Sequence, residues 1–299
     1  MIRFVDVAPR DGFQNWGQPV GTDVKEQLVR GLLDAGIPTV EATSFVSPKW
    51  VPQMADAAEL MARLGPGLQH RVRVLVPNLR GFESAREAGA RTVVVNAGVT
   101  DGFNQRNLNR PVADTLRGIG EVCRAADAAG VKVIGSVSVA WGCPFDGPVS
   151  AERALDLSRR LLELGCRQLS IADTIGVAEP RGVRALAGAA ITEFGADRVA
   201  VHFHDTRGMG LANSLAALEV GVREFEGSLA GIGGCPFAPR STGNVCSEDV
   251  LHMFQLMGEP SGANLAALIE LAGWLSEALS AELPGRLHRA GLAPWAVPA

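Results

Sequence analysis

The chain has 299 residues, 47% of them hydrophobic and 20% charged, with a formal net charge of −4. That balance is ordinary for a soluble globular protein, and without a basic block it excludes a dedicated nucleic-acid binder. No apolar run is long enough to span a bilayer. The five cysteines (Cys123, Cys143, Cys166, Cys235 and Cys246) are odd in number and lack paired finger spacing, which suits a reduced compartment.

RFVDVAP (3–9) reads as a strand from the start, so no secretory leader is expected and a cytoplasmic location is. APRDGFQN (8–15) follows and sets Arg10 and Asp11 just after that strand. An amphipathic helix, VKEQLVRGLLDAG, leads to a second strand at 39–46, which carries Glu41. Further strands are expected at 71–77, 92–99, 132–142, 167–174, 198–205 and 224–232. Helical patterns such as ADTLRGIGEVCRAADAAG, AERALDLSRRLLELG and LANSLAALEVG lie between them. Gly36, Gly89, Gly130, Gly165, Gly195 and Gly221 each sit just before a strand, where a helix C-cap belongs. Eight β-then-α units in about 260 residues predict an α/β fold, a closed (β/α)₈ barrel. A doubly wound open sheet is the alternative, but no G-x-G-x-x-G marks the first turn. SEDVLHMFQLMG (247–258) is the expected eighth barrel helix, and NLAALIELAGWLSEAL (264–279) a ninth that docks on the barrel or on another subunit. The expected organisation is one barrel domain over 1–280 and a Pro/Gly-rich tail over 281–299.

In such a barrel the chemistry sits at the C-terminal strand ends. His202 and His204, in VAVHFHD, are two apart in a strand and project to one face. Closing the barrel makes the seventh, eighth and first strands contiguous, so Asp11, His202, His204 and Asn244 of STGN can converge. A single strand histidine is ordinarily a satisfied core residue. Two imidazoles meeting a carboxylate and an amide oxygen instead make an open N/O site, suited to Mg²⁺, Mn²⁺ or Co²⁺. Glu41 and Asp173, at strand positions, read either as buried structural acids with a partner or as acids with a task. Cys235 lies in AGIGGCPFAP, a loop able to move and then hold a shape; beside a cation and Arg10 its sulfur becomes a proton carrier. Cys123 and Cys166 read as inert buried thiols, and Cys143 as structural. There is no tyrosine to act as a phenolic acid. The only lysines are Lys25, Lys49 and Lys132, none in a strand interior, which argues against imine catalysis.

The motifs APRDGFQN, VEATSFVSPKWVPQM, VPNLRGFE, GCPFDG, ADTIG, HFHDTRG and GIGGCPFAPRSTGN, in order along nearly the whole chain, resemble the 3-hydroxy-3-methylglutaryl-CoA lyase family of the DRE-TIM metallolyase superfamily. RDG-x-Q and H-x-H alone would also suit the condensing synthases or a carboxyltransferase domain. The resemblance implies a divalent cation, Mg²⁺ or Mn²⁺, held by Asp11, His202, His204 and Asn244. It implies that Arg10 stabilises an enolate oxygen, that Glu41 and Asp173 shape and polarise the site, and that Cys235 takes part in proton transfer. His202, or an acid such as Asp173, would accept the hydroxyl proton. The implied substrate is an acyl-CoA thioester, cleaved at C2–C3 to acetyl-CoA and a 3-keto acid, and the implied assembly is a homo-oligomer. No nucleic-acid or membrane partner is implied. Departures fall at Phe13, Trp16, Arg207, Pro239 and Arg240, taken as pocket-rim positions. They keep citramalyl-CoA or a longer 3-alkyl-3-hydroxyglutaryl-CoA open as substrates. A barrel that binds metal and ligand without turnover is the reading from another class.

Overall fold

The computed structural model describes residues 1–234 and 243–293. Eight parallel strands close into one barrel: β1 (Arg3–Asp6), β2 (Thr39–Ser44), β3 (Val72–Leu75), β4 (Thr92–Gly98), β5 (Lys132–Ser138), β6 (Gln168–Asp173), β7 (Val199–Phe203) and β8 (Glu224–Gly227). Each pairs with its neighbours in chain order, and β8 pairs with β1, so that no edge is left open. The open-sheet alternative is therefore excluded. All eight expected strands form, each ending short of its expected C-terminal limit as the chain turns into the loops that carry the chemistry.

Helices cover the outside: α1 (Thr22–Asp34), α2 (Ala57–Leu64), α3 (Leu79–Glu87), α4 (Asp101–Leu108), α5 (Val112–Ala129), α6 (Ala151–Glu163), α7 (Pro180–Phe194), α8 (Gly210–Glu219) and α9 (Ser247–Leu256). The six glycines expected to stop helices all take positive φ, from 66° to 111°, a region that favours residues without a Cβ. α10 (Leu265–Leu279) packs its apolar face on the barrel: Leu268, Ala272 and Leu275 are fully buried, and Leu271 presses on Gly31 of α1. The segment expected as a tail from 281 is anchored as far as 293. Leu283 and Leu287 are buried, the Gly285 N–H donates to Ala230 O at 2.8 Å, and α11 (Leu287–Ala290) starts where Asp249 accepts from the Leu287 N–H.

Inside the barrel, strand side chains alternate between the helix layer and the axis, with one register shift in β2 between Glu41 and Thr43. Toward the C-terminal end the axis-facing set lines one cavity of about 820 Å³, within the usual range for a small-molecule site. Val94 and Asn96 on β4, Ser136 and Ser138 on β5, and Ser170 and Ala172 on β6 belong to this set. α4, an extra helix between β4 and α5, brings Arg106 and Asn107 to the mouth.

Candidate active site

The first site element is a five-residue π-helical turn, Ala8–Gly12, straight after β1. Three successive N–H groups, of Arg10, Asp11 and Gly12, converge on the Val7 carbonyl at 2.7–3.2 Å. The turn fits because residue 12 is glycine: a Cβ there would lie 2.6 Å from Ile232 Cγ1. It points Arg10 and Asp11 into the cavity. π-turns of this kind recur at functional sites.

β7 delivers His202 and His204 to the same wall, with ring centroids 5.1 Å apart. Asn244 arrives from the chain after β8. That chain runs beside the end of β7 through Asp205 N–H to Gly243 O at 3.1 Å and Val245 N–H to Phe203 O at 2.9 Å. His204 Nε2 lies 3.7 Å from Asp11 Oδ2. Ligand atoms of Asp11, His202 and His204 all lie within 4.8 Å of one another. The structure thus groups Asp11, from the turn after β1, with His202 and His204, and sets Asn244 opposite His204 in an isolated bridge.

The donor set fits a cation on physical grounds. Asp11 Oδ2, Asn244 Oδ1 and His204 Nδ1 are buried without a hydrogen-bond partner. Leaving such an atom unpaired costs about 1–3 kcal/mol each. The carboxylate and amide oxygens can only accept, so a positive ion satisfies both where another protein acceptor would not. The protonation states agree. Burial alone would raise the Asp11 carboxyl, but Arg10, His204 and His202 outweigh it and hold it at about 2. Burial, reinforced by His202, pushes His204 down to about 4, so its ring is neutral at pH 7.

Beneath this wall runs a buried ionic ladder. Arg10 donates from Nε to Glu41 and from Nη1 to Asp11. Arg73 Nε donates to the other Glu41 oxygen at 2.7 Å, and its Nη2 lies 2.7 Å from Glu226 Oε1. Glu226 Oε2 accepts from His202 Nδ1 at 3.2 Å. This fixes the His202 tautomer and leaves Nε2 with its lone pair. Burial opposes the His202 charge, yet the Glu226 bond and charge hold its pKa above the ordinary histidine value. Burial also opposes the Glu226 carboxylate, but Arg73 and His202 hold it well below the usual carboxylate range.

Glu41 is thus a paired acid, as one of the two sequence readings had it. Asp173 sits differently from a wall residue: its two oxygens accept from the Val177 and Ala178 N–H groups at 2.9 Å each. It pins the loop after β6, and Ala172 and Thr174 line the cavity instead. Cys235 and Arg240 lie outside the described residues, as does Pro239. Phe13, Trp16 and Arg207, expected at the pocket rim, do not line the cavity formed by the described residues. Phe13 is fully buried in the core, Trp16 packs against the core, and Arg207 caps the carbonyls of Ile175 and Gly176 at 2.7 and 3.0 Å. Nearness to a motif in sequence placed them wrongly. Cys143, in a two-residue strand paired with Gly147–Pro148, accepts from Thr100 Oγ1 at 3.0 Å, and the Cys123 and Cys166 sulfurs are buried 3.9 Å apart. No lysine lines the cavity among the described residues.

Sequence reasoning missed Arg73 and Glu226. Their signal was a charge at an axis-facing position of an apolar strand, with register partners Glu41 and His202 on the neighbouring strands. It also missed the strained Val139, a β-branched residue at φ 55°, whose N–H is held by Thr174 Oγ1 at 2.8 Å at the end of β5.

The model of one protein family, HMGL-like, matches residues 1–274. The chain belongs to the HMGL-like family. It is 40% identical to the mitochondrial hydroxymethylglutaryl-CoA lyase of Bos taurus over 97% of this chain and 89% of that protein. The crystal structure of hydroxymethylglutaryl-CoA lyase from Pseudomonas aeruginosa superposes with a TM-score of 0.92 at 42% identity, covering 97% of this chain and 96% of that one. A similar structure is an HMG-CoA lyase from Acinetobacter baumannii in complex with coenzyme A and 3-methylmalate, with a TM-score of 0.95 at 34% identity over 100% and 98% of the two chains. This HMGL-like chain therefore carries both the family barrel and, at its C-terminal mouth, the three-residue cluster of Asp11, His202 and His204.

Proposed function

We propose that the chain is a divalent-cation-dependent carbon–carbon lyase that cleaves 3-hydroxy-3-methylglutaryl-CoA to acetyl-CoA and acetoacetate. The observation that carries this reading is the convergence of unpartnered buried acceptors beside Arg10 at the mouth of the barrel, in a chain 40% identical to such a lyase over nearly its full length. Asp11, His202, His204 and Asn244 would hold the cation, Mg²⁺ or Mn²⁺. When bound, it makes a hydroxyl beside it more acidic and polarises a neighbouring carboxylate.

The rest falls to the protein's own groups. The substrate's tertiary hydroxyl loses its proton, its oxygen electrons form the new C=O at C3, and the C2–C3 pair moves into the thioester as an enolate. Arg10, aimed into the cavity by the π-turn, is placed to stabilise that oxygen's charge. Glu41 and Arg73 hold Arg10 and its neighbours in position. Asp173 supports the β6 loop. His202 has two proposed roles, cation ligand and acceptor of the hydroxyl proton, and its single Nε2 lone pair serves one at a time. Cys235 protonates the enolate carbon to give acetyl-CoA. The cavity of about 820 Å³ takes the acyl part, and the nucleotide arm of CoA leaves past α4 and Trp50, a residue 80% exposed at the mouth. We place the enzyme in the cytoplasm as a homo-oligomer; no helix among the described residues is long and apolar enough to cross a membrane.

The test is acetyl-CoA release from a panel of 3-hydroxyacyl-CoA thioesters, citramalyl-CoA included, with Mg²⁺, Mn²⁺ or chelator. Cleavage that needs the cation and falls at least about a hundredfold in Cys235→Ala is expected. Tight thioester binding without cleavage would establish a binding barrel instead. Release of free CoA from acetyl-CoA and a 2-keto acid would establish a condensing synthase.

A further inference from the structure

We infer that this lyase accepts 3-hydroxyglutaryl-CoA substrates whose C3 branch carries an oxygen, and that Asn96 and Ser136 are the residues that recognise it. The inference rests on the lyase reading above and goes beyond it in naming the branch.

The barrel order sets β4 four strands from β8, and β5 four strands from β1. The wall made by these two strands therefore faces the wall of Arg10 and the metal-ligand cluster. Asn96 and Ser136 are register partners at its centre. Each is partly exposed, although the residues flanking it in its strand are buried. The opening is the cavity, which both line. Ser138 Oγ donates to Asn96 Oδ1 at 2.6 Å, which orients the amide and leaves its N–H groups to donate elsewhere. Neither those N–H groups nor the Ser136 hydroxyl have a protein partner among the described residues. The wall thus offers three hydrogen-bond donors, carried on two strands that line the cavity.

C3 of the substrate carries four groups. Its hydroxyl and carboxymethyl arm are oxygen donors that belong with Asp11, His202, His204 and Asn244. The thioester arm leaves through the mouth. The branch is left to face β4 and β5. A bare methyl group there covers polar groups that it cannot pair, whereas a hydroxymethyl or carboxyl branch gives them acceptors. Sites built to bond a substrate oxygen discriminate strongly against the analogue lacking it. The chemistry is otherwise unchanged: the C2–C3 bond breaks, the hydroxyl proton leaves, the acetyl carbon gains a proton, and the 3-keto acid keeps the branch.

The experiment compares kcat/KM for three thioesters: 3-hydroxy-3-methylglutaryl-CoA and the two near-isosteric analogues with a hydroxymethyl or an ethyl branch. In the native enzyme the hydroxymethyl substrate is expected to exceed the ethyl one by about tenfold or more. In Ser136→Ala/Asn96→Leu the ratio should fall to about one or invert. A ratio within one preparation does not depend on how much of it is folded. Equal or better cleavage of the ethyl substrate by native enzyme, or a ratio that survives the double substitution, overturns the inference while the lyase reading stands. Failure to cleave any of the three overturns the lyase reading and the inference together.

Discussion

Replacing Arg73 with methionine tests whether the ladder beneath the cavity is a coupled unit. Arg73 is 1% exposed and bridges Glu41 and Glu226 at 2.7 Å each. Burial opposes its charge, but Glu226 and Glu41 outweigh that and raise its pKa above the ordinary arginine value. Without it Glu41 keeps Arg10, so the stranded charge is that of Glu226, left with His202 alone. Removing one partner of a buried pair costs about 3–5 kcal/mol. Unfolding entropy near 2.1 cal/mol/K per residue gives roughly 0.6 kcal/mol per degree for a chain of this size, so Tm should fall by roughly 5–8 °C. The pH dependence has a definite sign. In the native protein Glu226 titrates below its ordinary 4.5, so it adds stability above that pH, and the gain is lost as pH falls through the folded value. Without Arg73 burial dominates, the folded value rises above the unfolded one, and the carboxylate destabilises at high pH. Metal-free thermal melts at about pH 8 and about pH 5.5 should therefore show the deficit of Arg73→Met narrowing on acidification. Adding Glu226→Gln should recover part of it at the higher pH. A loss under about 2 °C, or one unchanged by acidification, refutes the coupled ladder.

Three more outcomes follow from the same geometry. Glu226→Gln weakens the hold on His202 Nδ1 and should cost about 10–100-fold in Mn²⁺ affinity by calorimetry; an unchanged affinity would detach the ladder from the site. Mn²⁺ affinity should fall by up to about tenfold per pH unit below the raised pKa of His202, with a slope of one rather than two, because His204 at about 4 and Asp11 at about 2 have already lost their protons; a slope of two would count against that assignment. Arg10→Gln should lower kcat by about 10²–10³ with a much smaller change in KM, and a loss confined to KM would give Arg10 a binding role only.

Much of this was legible in the sequence because it rests on local periodicity. Strand alternation placed His202 and His204 on one face, glycines before strands gave the helix stops, and counting units closed the barrel. That closure alone brought Asp11 and Asn244 to them. What stayed hidden depends on phase and register between strands. Asp173 ends β6, but Ala172 pairs with His202 in register, so the even positions of β6 face the axis and Asp173 turns to its own loop. Arg73 and Glu226 each look like an isolated charge until β3 is set against β2, and β8 against β7. α4 escaped because DGFNQRNL is polar almost throughout and shows little helical apolar periodicity. Phe13 shows the opposite error, since two residues beyond Asp11 its side chain turns into the core while Gln14 and Asn15 still line the cavity.

The ladder also explains why this barrel keeps charges where others stack aliphatic side chains. An apolar floor of similar volume would be at least as stable, since well-packed hydrophobic residues commonly equal or exceed a buried ion pair. It would leave His202 Nδ1 without an acceptor, free the ring to choose its tautomer, and leave Arg10 without Glu41 to set its angle. Both groups must be in position before substrate arrives, because a group that reorients during reaction gives back much of what it contributes. The charges at Arg73, Glu41 and Glu226 are therefore best understood as stability given up for a fixed geometry. Their value is to be sought in the metal affinity and turnover of the variants, with the melting temperature recording what that geometry costs.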